Sequence, residues 1–281
     1  MEYRTFYNGV KIPLLGFGVY QIPEYADAKR AVLTALNTGY RLIDTAQAYM
    51  NEKAVGDAIR ESGIARENIF ITTKLWIQDF SYEGALRATE LSLERLGVDY
   101  IDLMLLHQPL GDYLGAWRGL EQLYQDGKLK AIGMANCYPH VLADICETVE
   151  IKPMLNQVEI HPFFQQQLNI DTMNEYGVVP EAWAPFNEGL HHFFTNPVLT
   201  EIGNQYGKSA AQVALRWNMQ RGVVVIPKSV HADRIQQNFE VFDFSLTPAD
   251  MAQIKTLDIG HSEIVNHFDP KWIKMLHTLK F

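Results

Sequence analysis

IDLMLLHQPLGDYLGAWRGLEQLYQDGKLKAIGM, residues 101–134, is the stretch from which the fold is read. A short apolar run, Ile101 to Leu106, is followed by polar residues and an amphipathic stretch, Gly115 to Gln125. Gly127 and a second apolar run, Ala131 to Met134, come next. Short apolar runs on either side of a helical pattern predict two parallel strands joined by a crossover helix. Glycine just past the amphipathic stretch suits the left-handed turn that ends a helix.

The same unit recurs in both directions. Further strands are expected at Leu14 to Phe17, Tyr40 to Ile43, Ile69 to Thr73, Met154 to Val158, Val178 to Trp183 and Val223 to Ile226. Helical patterns cover Tyr25 to Asn37, Glu52 to Glu61 and Tyr82 to Leu96, with glycines following at Gly39, Gly63 and Gly97. Together with the opening stretch this makes eight units in 281 residues. The expectation is an α/β fold, a (β/α)₈ TIM barrel, with residues 1–281 as a single domain. Asn8-Gly9 between two alternating runs predicts an N-terminal β-hairpin with a two-residue turn, plugging the bottom of the barrel. Helices are expected near His231 to Asn238 and after Thr247-Pro248, then an irregular C-terminal tail from Gly260 to Phe281. Asn187 to Asn204 reads as a long insertion after the seventh strand, a length that usually serves function.

Composition narrows the function classes. With 47% hydrophobic and 20% charged residues the chain is globular, and a formal charge of -9 gives no field for nucleic acid or acidic lipid. The two cysteines, Cys137 and Cys146, are no disulfide framework for a chain of this size. No leader pattern opens the sequence and no apolar run is long enough to span a membrane, so a cytoplasmic protein is expected.

Barrel enzymes take their catalytic groups from the C-terminal ends of the strands. There the sequence places Asp44 within LIDTAQAYMNE, Lys74 within ITTKLW and His107 within IDLMLLHQP, and Tyr49 follows Asp44 closely enough to fold over the same mouth. A free phenol, with a pKa of about 10, matches neutral pH poorly unless a cation stabilises its anion. Lys74 is expected to supply that charge and lower the phenol, with Asp44 holding Lys74 in place. His107 is expected to donate a hydrogen bond to a substrate oxygen that becomes negative. Taken singly, Asp44 and Lys74 read better as a structural ion pair, His107 as a core histidine and Tyr49 as a surface phenol. Four at adjacent strand ends point to carbonyl reduction.

In these blocks, and in NQVEIHPF and IPKSVHADRIQQNF, the chain resembles the aldo-keto reductase family along almost its whole length, in the style of bacterial members that reduce 2,5-diketo-D-gluconate or methylglyoxal. The resemblance implies an NADPH-dependent enzyme acting on small aldehydes, ketoaldehydes or keto-sugars, with a tetrad of Asp44, Tyr49, Lys74 and His107 in which Tyr49 protonates the carbonyl oxygen. It implies Asn136 and Gln157 at the nicotinamide carboxamide and Trp183 stacked on the ring. Lys228, Ser229 and Arg234 would lie around the 2′-phosphate and Asn238 near the adenine. Gly18 would let the first loop approach the cofactor, with Tyr20, Trp76 and Gln108 at the substrate. A phosphate beside two cations at a helix start also makes independent sense. The chain departs from the family at Ala135, Cys137, Gln108, Gln237, Ala184 and Phe186, none of which touches the tetrad.

Gly16-Phe17-Gly18 is not a dinucleotide fingerprint, since position 21 is Gln and no long crossover follows. His161, His191 and His192 lack metal-ligand spacing, so no metal is expected. Phe268 is read at the substrate mouth, and Phe80, His267 and Trp272 as either mouth or core. The alternative to an enzyme is a regulatory subunit that keeps the barrel and cofactor as a redox sensor. The expected partner is a small carbonyl compound, with no nucleic acid or membrane, and the expected state is a monomer.

Overall fold

The computed structural model describes residues 1–281. The chain opens with strands β1 (Tyr3–Thr5) and β2 (Lys11–Pro13), antiparallel with Thr5 opposite Lys11. Phe6 N–H donates to Val10 O at 2.8 Å and Gly9 N–H to Phe6 O at 2.9 Å. The turn is therefore a three-residue loop with Gly9 at φ 89°, not the two-residue Asn-Gly turn expected. Asn8 stays out of the left-handed region and uses its side chain instead, accepting from Val10 N–H at 3.1 Å and donating to Lys130 O at 3.0 Å. Phe6 is buried against Phe70, and Tyr7 donates to Lys152 O. Phe70 opens a barrel strand, while Lys130 and Lys152 lie just before two others, so the hairpin covers the N-terminal end of the barrel as expected.

Eight parallel strands follow in chain order: β3 (Phe17–Gly18), β4 (Leu42–Asp44), β5 (Phe70–Leu75), β6 (Leu103–Leu106), β7 (Ile132–Ala135), β8 (Leu155–Glu159), β9 (Val179–Trp183) and β10 (Val224–Val225). Each pairs with its predecessor. The seam closes where Gly16 N–H donates to Val225 O at 2.8 Å, Val225 N–H to Leu14 O at 2.9 Å and Gly18 N–H to Pro227 O at 3.1 Å. Leu14 to Gly16, read as part of the first strand, belong to this seam, while Phe17 and Gly18 form the ladder with β4. Several ladders run past the apolar runs into polar residues at the mouth, because an apolar run marks burial while backbone pairing continues beyond it.

Helices α1 (Tyr25–Thr38), α2 (Glu52–Glu61), α3 (Tyr82–Leu96), α4 (Tyr113–Gln125), α5 (Pro139–Thr148), α6 (Gln167–Tyr176), α7 (Pro197–Tyr206), α8 (Ala210–Gln220), α9 (Ala232–Phe239), α10 (Pro248–Lys255) and α11 (Pro270–Leu276) complete the chain. Two expectations change here. The insertion is irregular only over Asn187–Thr195, because Asn196 caps α7 with its side chain and Pro197 fits the first turn. The tail is not wholly irregular: Asp269 accepts from Lys271 N–H and starts α11 at Pro270. A contiguous core of 76 buried residues runs from Phe6 to Leu276, so hairpin and tail share their packing with the barrel. No helix is long and apolar enough to cross a membrane.

Candidate active site

At the C-terminal mouth the tetrad comes together. Asp44 ends β4, Lys74 lies in β5 and His107 follows β6 directly. Tyr49 closes a short 3₁₀ turn, Gln47–Tyr49, which two neighbours fix in place. Asn51 accepts from Thr45 Oγ1 at 2.7 Å and donates to Val19 O at 2.9 Å, while Gln47 donates to Ala88 O at 2.8 Å. The phenol is thereby folded back over the strand end. Lys74, fully buried, donates to Asp44 Oδ1 at 2.6 Å, to Thr45 O at 2.9 Å and to Tyr49 Oη at 3.4 Å. The His107 ring lies 5.8 Å from that of Tyr49 and 5.1 Å from that of Trp76, and Tyr20 lies 5.0 Å from Tyr49.

The electrostatics follow from burial set against this one cation. Burial opposes the charge on Lys74, but the Asp44 carboxylate and then the Tyr49 phenol outweigh it and hold the ammonium above its usual value. Burial raises Asp44, against Lys74 and the Gln157 amide. Tyr49 corrects the sequence reading: burial raises it more than Lys74 lowers it, and it is pushed up to about 12. The phenol is thus protonated throughout the neutral range. Burial, and then the charge of Lys74, hold His107 well below the ordinary histidine value, so its imidazole is neutral, and its Nδ1 has no hydrogen-bond partner.

The residues read as nicotinamide contacts gather beside the tetrad. Gln157 donates to Asp44 Oδ2 at 2.9 Å. Asn136, at φ 60°, donates to His107 O at 3.0 Å and accepts from Trp183 Nε1 at 2.9 Å, so its amide ties β9 to β6 across the mouth. Past the end of β10, Ser229 accepts from His231 N–H at 3.1 Å ahead of α9. Lys228 and Arg234 are exposed there and neither is ion-paired. Asn238 is buried on the same helix. Gly18 is required by the seam, since a Cβ there would stand 2.9 Å from Ile226 O.

Tyr20 is exposed, whereas Trp76 and Gln108 are buried and Gln108 Oε1 has no partner. Trp76 Nε1 donates to Leu279 O at 3.2 Å, and the Phe281 ring stands edge-on to Trp76 at 5.2 Å. Those tail residues escaped the sequence reading because the contact spans about two hundred positions with no local signal. Phe80 is buried, and His267 and Phe268 pack on Tyr138 at the start of α5. Burial raises the Cys137 thiol, which makes it unreactive. His191 pairs with Glu263 and His161 with Glu159, and no group of three His, Cys, Asp or Glu side chains is placed to hold a metal ion. Glu181 was also passed over. Its signal was a lone acid inside the otherwise apolar run of β9.

The chain belongs to the aldo/keto reductase family, whose sequence model matches residues 14–259. It is 48% identical over 259 residues to the uncharacterized oxidoreductase YtbE of Bacillus subtilis, covering 90% of this chain and 92% of that one. It is 47% identical over 253 residues to glyoxal reductase of the same organism, covering 90% and 91%. Among solved structures it is similar to a Bombyx mori aldo-keto reductase in complex with NADP, with a TM-score of 0.90, 32% identity and 96% of each chain covered.

Proposed function

We propose that this chain is an NADPH-dependent reductase of small aldehydes, ketoaldehydes or keto-sugars, a cytoplasmic monomer of one domain, with Tyr49 as general acid. The observation that carries the reading is the buried Lys74 ammonium held between Asp44 at 2.6 Å and the Tyr49 phenol at 3.4 Å. The names of the glyoxal reductase and of the NADP complex agree with these substrate and cofactor classes.

The residues present fit the cofactor. Two exposed, unpaired cations beside a serine hydroxyl at a helix start suit a dianion, and they are left free in a chain of net charge -9. Lys228, Ser229 and Arg234 would hold the 2′-phosphate and Asn238 the adenine, while Asn136, Gln157 and Trp183 would hold the nicotinamide and Gly18 the passage between them. When bound, NADPH supplies the hydride that reduces the carbonyl carbon. Tyr49 gives its proton to the carbonyl oxygen, so that carbonyl, hydride and proton make the alcohol. The phenolate left behind is met by Lys74, whose charge Asp44 keeps in place. Neutral His107 donates a hydrogen bond to the same oxygen. Around the mouth Tyr20, Met50 and Phe281 are exposed and apolar in body, and only Gln108 to Asp112 separate His107 from α4. A low apolar wall of this kind suits small, uncharged carbonyl compounds.

Steady-state reduction of a panel of carbonyls with NADPH and with NADH tests the reading. Tyr49→Phe should lower turnover by about 10²- to 10⁴-fold and leave cofactor binding intact. Arg234→Ala should raise the Kd for NADPH, read from tryptophan quenching, by about ten-fold or more and leave NADH nearly unchanged. Near wild-type turnover in the first variant removes Tyr49 as the acid. Equal losses for both cofactors in the second remove the phosphate assignment.

A further inference from the structure

The interior of a parallel barrel is filled mainly by branched apolar side chains. Glu181, in the middle of β9, breaks that pattern: it is fully buried and neither carboxyl oxygen has a hydrogen-bond partner. It stands between Gln157 on β8 and Val224 on β10. Gln157 donates to Asp44 at 2.9 Å, and the Lys74 donors go to Asp44, Thr45 and Tyr49. The ionisable groups facing Glu181 are Asp44 from β4 and Lys74 from β5, and its neighbours on β8 and β10 carry no charge. Two carboxyls thus share one ammonium that is already committed. A buried carboxylate that accepts no hydrogen bond, and whose one nearby cation is already engaged, takes up a proton instead.

Resting on the reductase reading above, we propose that Glu181 is a positioning residue for proton transfer, a neutral carboxyl beside the Asp44–Lys74 pair that leaves the whole charge of Lys74 to Asp44 and Tyr49. Burial, and next the charge of Asp44, push Glu181 up to about 8, against the attraction of Lys74. While the proton stays, the cluster is one balanced ion pair. Once it leaves, a second carboxylate competes for Lys74 and adds negative charge near a phenol that must itself become an anion. Proton donation by Tyr49 then slows. The group therefore places an alkaline limb on the reaction where it loses its own proton, at about 8.

The test follows single-turnover oxidation of NADPH by the full-length enzyme with a good aldehyde, from about pH 6 to about pH 10. Wild type should lose rate with a midpoint of about 8, whereas Glu181→Gln, neutral at every pH, should keep it. At about pH 9 the two should differ about ten-fold more than at neutral pH, because about one wild-type molecule in ten still holds the proton. Coincident profiles overturn the proposal. A second measurement needs neither turnover nor a variant: with carbon-13 in the glutamate carboxyls, one wild-type signal should titrate on the alkaline side of neutrality, and it should be missing from Glu181→Gln. If no glutamate signal titrates there, the proposal fails even where the glutamine variant does not fold. A chain that reduces no carbonyl at any pH contradicts the reductase reading, and this role with it, and is told apart because the labelled signal still titrates.

Discussion

Lys74 spends its N–H donors on a carboxylate, a carbonyl and a phenol, and the value of each contact depends on the others. Lys74→Met strands a buried carboxylate at Asp44, which should cost about 3–5 kcal/mol in urea denaturation as well as activity. Adding Asp44→Asn removes the stranded charge, so the double variant should recover most of the stability and none of the turnover. Recovery of both would make the pair scaffolding. Glu181 gives a second stability signature. Its carboxyl is raised from 4.5 to about 8, so the folded state keeps a proton that the unfolded chain gives up. That contribution is fully present below about 4.5 and is lost as pH rises to about 8. The denaturation midpoint of wild type should accordingly fall relative to Glu181→Gln across that window, and a pH-independent difference would contradict it. At this scale Asp44, Tyr49, Lys74 and His107 were legible because each follows a recognisable strand. The upward shift of Tyr49 was not, because it is the difference between burial and the attraction of Lys74, and only the first outcome of packing tells which is larger.

Strands and helices were legible as kinds and less so as spans. Seven of the eight strands, all but β3, and the helices α2 and α3 stand where the apolar periods put them, because burial of one face is written in neighbouring residues. The seam is different. Leu14 to Gly18 serve two partners, β10 through the first residues and β4 through the last, and only barrel closure brings β10 there. At Gly18 that closure leaves no room for a side chain. Gly18→Ala would drive a Cβ to 2.9 Å from Ile226 O, a backbone atom that cannot swing away. We expect a loss of about 1–3 kcal/mol in denaturation. A neutral substitution would mean that the seam gives way easily. The hairpin loop, α7 and α11 were misread for one reason: Asn8, Asn196 and Asp269 act through side-chain hydrogen bonds to backbone, which a hydrophobic period does not record.

Over the whole molecule one core joins barrel, hairpin and tail, and polar ties reinforce it. Ser262 donates to Glu159 at 2.5 Å and Glu263 pairs with His191, so the tail is fastened to β8 and to the loop after β9. On the proposed reading of one domain, such ties should make the chain unfold in one transition, seen alike by tryptophan fluorescence and far-ultraviolet circular dichroism. Two separated transitions would divide the chain into independent parts. By itself the sequence determined the barrel, the family and the four residues at adjacent strand ends, because period, turn chemistry and motif spacing are properties of residues close together in the chain. Only the tertiary structure decided that Phe281 stands on Trp76, that Asn136 bridges Trp183 to His107, that Tyr49 is raised, and that Glu181 is buried without a partner beside the Asp44–Lys74 pair. The physical reason is that burial and electric field at a point are sums over groups distant in sequence, which nothing but the folded chain brings together.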